Sequence, residues 1–316
     1  MPNDIQIPEA LMDFATEKSP KDRLFPVVKD LMNQNYCVDV HTHFFDMKCI
    51  NVAYLLLRLG KDFVGLRGDE DSLESYENKI YSQRGEYQEN WEDKLHEKLT
   101  EQGERGISLK VTPILTKKKM AAVYKYYINK ASLATYFNYD KTKVLTTALM
   151  MDFKHGWGIK RLGKSMSRQI DELIKLAEAK PVLPFLFCDP RRSNDPGEEN
   201  LYNLFRKAFH NNAGFYGVKL YPCLGYHPND PRLHPIYKIC EDYSIPIISH
   251  CGGDRISTDE VPLTVLSGDE QITYYGENRK EISYQLNDPK NWEPVLQRFP
   301  KPVSYTHLTL PTKRIV

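Results

Sequence analysis

The chain lacks several features that mark common functional classes. Its six cysteines include no Cys-x-x-Cys spacing, so we expect reduced, mostly buried thiols rather than a zinc ribbon or a redox motif. No apolar run is long enough to cross a membrane, and the first residues do not form a basic and then apolar leader. The 43 basic and 42 acidic residues give a formal net charge of +1, which does not suggest a nucleic-acid-binding surface.

These absences favour a cytoplasmic protein with neither a membrane nor a nucleic acid as partner. A homo-oligomer is compatible with the sequence, which does not set the oligomeric state. The length of 316 residues, 41% of them apolar, fits one large domain or two small ones.

From residue 144 onward, apolar strand-like runs alternate with helix-like segments. The runs predict strands at residues 144–151, 182–188, 217–221 and 245–250. The segments between them predict helices at residues 165–179, 201–209 and 231–243. With an earlier strand at residues 36–43, this rhythm predicts an α/β fold of parallel strands, in either a (β/α) barrel or a doubly wound sheet.

The region between the first and second strands is less regular. Residues 69–105 are rich in charged and amide side chains, so we expect a helical insertion or cap over about residues 44–140. Within it, residues 120–128 predict an amphipathic helix, and the basic run at residues 117–119 is interpreted as a solvated surface.

Two histidines, His41 and His43, close the first apolar run. Side chains two residues apart in a strand share a face, so both imidazoles can point to one position, where a metal would fit. Asp39 lies two residues earlier and can orient a ligating imidazole. Roughly 0.25 such histidine pairs are expected by chance in this composition, and two hydrogen-bonded histidines at a strand end fit equally well.

A third histidine, His250, closes the run at residues 245–250. Functional groups in parallel α/β folds gather at the carboxyl ends of strands, so three imidazoles can hold one divalent ion there. Lys219 lies at another strand end and shares a face with Tyr221. Beside a metal, this lysine would contact an anionic substrate, lose its proton or become a carbamylated ligand; alternatively, it pairs with a carboxylate inside the barrel.

These segments together resemble the amidohydrolase superfamily, in the branch of TIM-barrel metal-dependent hydrolases related to aminocarboxymuconate semialdehyde decarboxylase. The resemblance spans about residues 36–303 and rests on residues 38–43, 217–222, 230–233 and 245–252. It implies a (β/α)8 TIM barrel with one divalent metal, commonly zinc, bound by His41, His43 and His250. In binuclear relatives a carbamylated lysine at the position of Lys219 bridges two metals.

The resemblance also implies a small-molecule substrate and a reaction on it. A metal-activated water would hydrolyse an amide, a lactone or a related C–N or C–O bond, whereas the decarboxylase relatives use the metal to stabilise carbanion-like charge. Loop residues at the strand ends are expected to surround the substrate, although each also fits an ordinary loop or salt-bridge role. Those assigned to substrate binding are Asp152, His155, Arg191, His227 and Arg255. Arginine there favours an anionic substrate.

The family also places a histidine at the end of strand 6 and an aspartate at the end of strand 8, and neither has a counterpart here. A sixth strand would begin near residues 301–303, and two further strand–helix units need about sixty more residues. We therefore expect a barrel truncated after about strand 5 or 6, with an exposed strand edge, poor solubility and no activity in the chain as written. Residues 304–316 resemble a translated sequencing adapter, so we exclude them, His307 included, from the expected domain of residues 1–303.

Two readings from other classes stay open. Residues 158–165 match the phosphate-binding pattern G-x-x-x-x-G-K-[ST], with Lys164 as its lysine, where roughly 0.01 matches are expected by chance. The preceding strand is expected to end near Met151, however, and the bulky residues 159–162 are poor cradle residues for a phosphate. The other reading is an inactive remnant that keeps three metal-binding imidazoles but lacks an acid and a base.

Overall fold

The computed structural model describes residues 5–16, 25–45, 49, 120–130, 143–158, 164–210, 214–251, 257–258, 260–300 and 304–307. The charged segment at residues 69–105 and the basic run at residues 117–119 lie outside this set, so the predicted insertion is represented only by its helix from Met120 to Lys130. Among the described helices, none is long and apolar enough to span a bilayer.

The described strands form a curled parallel sheet and a separate hairpin, so the chain has a mixed α/β fold. The strands are β1 (Cys37–Phe44), β2 (Val144–Met150), β3 (Val182–Phe187), β4 (Gly217–Leu220), β5 (Ile247–His250), β6 (Leu263–Ser267), β7 (Glu270–Tyr274) and β8 (Ser304–His307). The sheet has the order β1-β2-β3-β4-β5-β8, and each pair is parallel. Each new strand is added beside the previous one, as in a barrel, whereas a doubly wound sheet reverses its order midway.

Helices connect these strands as the sequence predicts. The α-helices are α1 (Pro26–Met32), α2 (Met120–Lys130), α3 (Met166–Ala179), α4 (Leu201–Phe209), α5 (His234–Tyr243), α6 (Arg279–Leu286) and α7 (Glu293–Arg298). Short 3₁₀ segments precede or join them at Glu9–Thr16, Pro190–Asn194, Gly197–Glu199, Pro222–Leu224, Pro231–Leu233 and Pro289–Trp292. The three helices predicted between strands 2 and 5 are confirmed as α3, α4 and α5, since their apolar faces pack on the sheet.

The two faces of the sheet pack against different parts of the chain. In β2, Ala148 and Met150 belong to the main core with the connecting helices. Leu149, between them, belongs to a second apolar cluster that includes Val28 and Leu31 of α1. This alternation follows from the two-residue period of a strand. The helices α3 to α5 therefore cover one face, and α1 covers part of the concave face.

Lys219 and His250 lie on the concave face. Lys219 is opposite Ile248 of β5 in register, and Ile248 belongs to the cluster with α1. His250 follows Ile248 by two residues and therefore points to the same side of the sheet. The fold thus brings both predicted site residues to one side, near the carboxyl ends of their strands.

The sheet is open among the described strands, with β1 at one edge and β8 at the other, which is compatible with a truncated TIM-like barrel. The sixth strand expected near residues 301–303 begins at Ser304, and His307 is opposite His250 in register. Residues 304–307, which the sequence analysis excludes from the fold, therefore form a strand of the sheet. Their resemblance to an adapter stays a prediction.

The hairpin of β6 and β7 is not predicted by the sequence analysis. Its strands pair antiparallel across a two-residue turn, Gly268 and Asp269, in which Gly268 has a φ of 60°. Glycine adopts this left-handed conformation without a steric penalty. The hairpin packs on α6 through Leu263, Val265, Ile282 and Leu286.

Candidate functional site

The first strand carries a bulge between Asp39 and Thr42, a stretch that includes His41 of the histidine pair. Asp39 is opposite Thr146 of β2, but Thr42 is opposite Ala148, so one extra residue lies in β1. The Thr42 hydroxyl donates a hydrogen bond to the Asp39 carboxylate at 2.6 Å. The simple two-residue alternation from Asp39 to His43 is therefore broken. The side chain of His41 lies outside the described residues, so its contact with Asp39 stays a prediction.

The centre of the candidate site is the ring of Tyr221, a fully buried residue directly after β4. The His250 imidazole stacks on this ring, with centroids 4.2 Å apart and planes inclined by 16°. The His43 imidazole meets it edge-on, with centroids 6.1 Å apart. The Lys219 ammonium lies 5.4 Å from the same centroid. Residues of three strands that the sequence singles out therefore meet around one aromatic side chain.

Sequence reasoning missed the role of Tyr221. The available signal was its position, two residues after Lys219 and therefore on the same strand face. It also missed Met151, a buried residue directly after β2, whose Sδ lies 3.1 Å from Nδ1 of His43. The thioether and the phenol ring together fix the position of the His43 imidazole.

Lys219 is fully buried, and its Nζ makes no hydrogen bond to any described residue. Burial lowers the pKa of this ammonium to about 8, while the nearby thiols of Cys223 and Cys251 act weakly in the opposite direction. Low polarity disfavours the charged form of a lysine, which accounts for the direction. A pairing with a carboxylate inside the barrel, one of the alternatives from the sequence, is not met in the described part of the chain.

A second tyrosine supports Tyr221 from behind. The Tyr226 hydroxyl accepts a hydrogen bond from the backbone N–H of Tyr221 at 2.6 Å and donates one to the carbonyl of Cys188 at 3.2 Å. All three residues are buried. These bonds tie the end of β4 to the end of β3 and fix the backbone from which the Tyr221 ring projects.

Arg191 joins three loops at this end of the sheet. Its guanidinium donates two hydrogen bonds to the Asp189 carboxylate, at 2.9 and 2.7 Å. It also donates to the backbone carbonyls of Leu224 at 2.8 Å and His155 at 3.3 Å. Burial raises the pKa of Asp189, but Arg191 outweighs this effect and holds that pKa below its ordinary value. The residue predicted to bind substrate is thus engaged in holding the loops after β2, β3 and β4 together.

Two more predicted substrate contacts lie in a buried ion network. The Arg192 side chain is almost fully buried and donates through Nε to Asp152 and through Nη1 to Asp195, the latter at 2.9 Å. His155 approaches Asp195 at 3.3 Å, and Lys154 approaches it at 2.8 Å. Removal of either Asp152 or Arg192 would leave the other charge buried without this partner, so the two residues depend on each other within the loop structure. A contact of Asp152 or His155 with substrate stays a prediction.

The last two predicted substrate contacts are His227 and Arg255. His227 is buried, and its Nδ1 accepts a hydrogen bond from the backbone N–H of Asn229 at 3.0 Å. Burial lowers the pKa of this imidazole, so it is neutral at physiological pH. Arg255 lies outside the described residues.

Two residues of the phosphate-loop pattern, Lys164 and Ser165, make contacts within the protein. The Lys164 ammonium is buried and donates to the Glu172 carboxylate at 2.7 Å. The Ser165 hydroxyl caps α3 by accepting from the N–H of Arg168 at 3.2 Å. Strand β2 ends at Met150, well before Gly158, and residues 159–163 lie outside the described set. These contacts do not favour the nucleotide-binding reading.

Comparison with known proteins adds no identification, because neither a family model nor a curated protein matches the chain. Among the described side chains, which omit His41, no three histidine, cysteine, aspartate or glutamate residues form a metal-binding group. Function must therefore be inferred from the residues that surround Tyr221.

Proposed function

We propose that the protein is a metal-dependent hydrolase of the amidohydrolase type, which cleaves an amide, a lactone or a related C–N or C–O bond of a small anionic molecule. The observation that carries this proposal is the convergence of His43, Lys219 and His250 on Tyr221. They come from three parallel strands, near the carboxyl ends where such folds place their chemistry. The resemblance of their sequence segments to the superfamily supports the same reaction class.

The donor chemistry fits one divalent ion, with zinc as our choice. His43 and His250 supply two imidazoles against one ring, and His41 supplies the proposed third ligand from the same strand as His43. Zinc binds neutral imidazole well, and three protein ligands leave a position open for catalysis. Because Nδ1 of His43 faces Met151, coordination would fall to Nε2. When bound, zinc supplies a Lewis acid that polarises a substrate oxygen and lowers the pKa of a water.

The protein residues have separate tasks in this proposal. Stacking on Tyr221 holds the His250 ring at a fixed inclination, while Met151 and Tyr221 hold His43. Arg191 keeps the surrounding loops in place. The catalytic base stays unassigned, since the family's strand 6 histidine and strand 8 aspartate have no counterpart. We therefore propose that the chain binds metal and that, without an assigned base, it turns over substrate slowly at most.

Metal content tests the ligand set. We expect the purified protein to bind about one zinc per chain, and His41→Ala, His43→Ala and His250→Ala each to lose it. His210→Ala is the matched control, because His210 follows the C-terminus of α4, at the opposite end of the sheet from the site. Circular dichroism must show that every variant is folded. Full zinc retention in a folded His250→Ala protein would contradict the proposal.

Turnover separates the reaction classes. The protein is incubated with a panel of anionic lactones, amides and carboxylates, and hydrolysis and carbon dioxide release are both measured. Zinc-dependent hydrolysis, even if slow, supports the proposed reaction. Carbon dioxide release identifies the alternative, a decarboxylase of the same fold. Zinc binding without either product identifies a metal-binding remnant, which the open sheet favours.

A further inference from the structure

Lys219 combines a positive charge, full burial and a position among the proposed metal ligands. Its Nζ donates to no acceptor in the described part of the chain. Moving an ammonium out of water is strongly unfavourable unless a partner compensates for it. Most such buried groups in proteins are paired, and an unpaired one indicates a role that the protein alone does not reveal.

The surroundings of Lys219 provide only weak compensation. The centroid of the Tyr221 ring lies 5.4 Å from Nζ. Besides burial, the groups that affect the pKa of Lys219 are the thiols of Cys223 and Cys251. Ile248 is opposite Lys219 on the neighbouring strand and adds an apolar wall. Among the described residues, therefore, no negatively charged side chain pairs with Lys219.

We propose that Lys219 anchors the carboxylate of a small monocarboxylate ligand, which lies against Tyr221 beside the two imidazoles. A single ammonium balances a single negative charge, whereas phosphate groups usually recruit several donors. His43 is only half-buried, so the ligand enters from its side of the cluster. The role of this ligand as a substrate rests on the proposed function, but its binding to Lys219 does not.

The test measures binding of acetate, the simplest monocarboxylate, to the zinc-free protein by calorimetry at pH 7. We expect millimolar affinity for the wild-type protein and at least a tenfold loss in Lys219→Met. Lys238→Met is the matched control, since Lys238 forms an exposed ion pair with Asp242 on α5, outside the site. Its affinity for acetate should not change.

Misfolding does not account for the expected loss, because replacing an uncompensated buried ammonium by an apolar side chain of similar shape should stabilise the fold. Lys219→Arg provides a second check, since a cation that fits should restore part of the affinity. Equal acetate affinity in wild type and folded Lys219→Met would overturn the proposal, and so would the absence of acetate binding to the wild type.

Carbamylation of Lys219 would also overturn the proposal that this residue anchors a carboxylate. The carbamylated side chain carries a negative charge and would repel the ligand. Protein equilibrated with ¹³C-bicarbonate would then show a carbamate carbon signal by NMR that is absent in Lys219→Met. Zinc content distinguishes the two proposals. Acetate binding at Lys219 without any zinc binding refutes the proposed function alone, whereas zinc binding without acetate binding refutes only the anchor.

Discussion

At the scale of single residues, Lys219 shows how burial converts a common side chain into a destabilising one. The folded environment disfavours its charge, and the described residues supply no acceptor to offset that effect. A protein retains such a residue when the charge serves binding or chemistry. Its cost in stability can be measured directly, because that cost depends on pH.

We predict that Lys219 makes stability rise with pH between about 8 and 10.5. Its pKa is about 8 in the folded protein, against an ordinary 10.5, so in this range the unfolded chain holds a proton that the folded protein has lost. The full penalty, about 3 kcal/mol, applies below pH 8. Urea unfolding of wild type and Lys219→Met should show the variant to be more stable at pH 7, by an amount that shrinks toward pH 10.

The comparison between variants is essential here, because buried cysteines and tyrosines with raised pKa values make stability fall with pH over the same range. Groups without an electrostatic contact with Lys219, such as Cys240 and Tyr226, contribute equally to both proteins and cancel in the difference. The Cys251 thiol, whose pKa Lys219 lowers, is the exception and adds to the difference. The free energy of unfolding of Lys238→Met should differ from that of the wild type by the same amount at every pH in this range. A difference between wild type and Lys219→Met that does not vary with pH would refute the lowered pKa.

The residues of the site were partly predictable. His43, Lys219 and His250 are found because they end apolar runs, and the ends of parallel strands converge. Tyr221 is not found, because an aromatic residue at a strand end is typical of core packing. The bulge between Asp39 and Thr42 is not found either, since a bulge is defined by the pairing with a second strand, which a single run of sequence does not contain.

At the scale of secondary-structure elements, the helices and most of the strands were predictable because each has a strong local pattern. The aspartates of two Asp-Pro-Arg sequences, Asp189 and Asp230, each accept from the arginine's backbone N–H and from its guanidinium. Such local turns depend on few residues. The β6–β7 hairpin also has a local signal, the two-residue turn at Gly268, but the expectation of a continuing strand–helix rhythm obscured it.

The N-terminal cap of helix α3 can be tested by substitution of Ser165. We predict that Ser165→Ala lowers the free energy of unfolding by about 1 kcal/mol, because the hydroxyl that accepts from the N–H of Arg168 is lost. Ser165→Asp should retain most of the stability, since a carboxylate is also an effective cap. Chemical denaturation of the three proteins checks both outcomes.

The same variants examine the phosphate-loop reading. Because Lys164 is bound to Glu172 and Ser165 caps the helix, Mg-ATP should not raise the melting temperature of any of the three proteins. If Mg-ATP raises the melting temperature of the wild type but not that of Lys164→Ala, this interpretation is wrong. Residues 158–165 would then bind a nucleotide.

At the scale of the whole molecule, the sheet has two edges where a closed barrel would have none. Strand β1 lies at one edge of the described sheet, and β8 at the other. The sequence predicts a sheet of about five or six strands, and the described strands agree with that expectation. A sixth strand is expected to begin near residues 301–303, but residues 304–307 are excluded from it, because they resemble an adapter. Their pairing with β5 is seen only in the structure.

We predict that β8 protects the edge of β5. A chain that ends at residue 303 should melt at a lower temperature and aggregate faster, because it exposes the backbone groups that pair with four residues of β8. A chain that ends at residue 307 is the matched control, since it keeps the strand but lacks the nine residues after it. Thermal melting and light scattering at equal concentration compare the three chains. If the chain ending at 303 equals the other two in both measurements, β8 contributes nothing to the fold; if only the chain ending at 303 aggregates, strand pairing at this edge limits the solubility of the molecule.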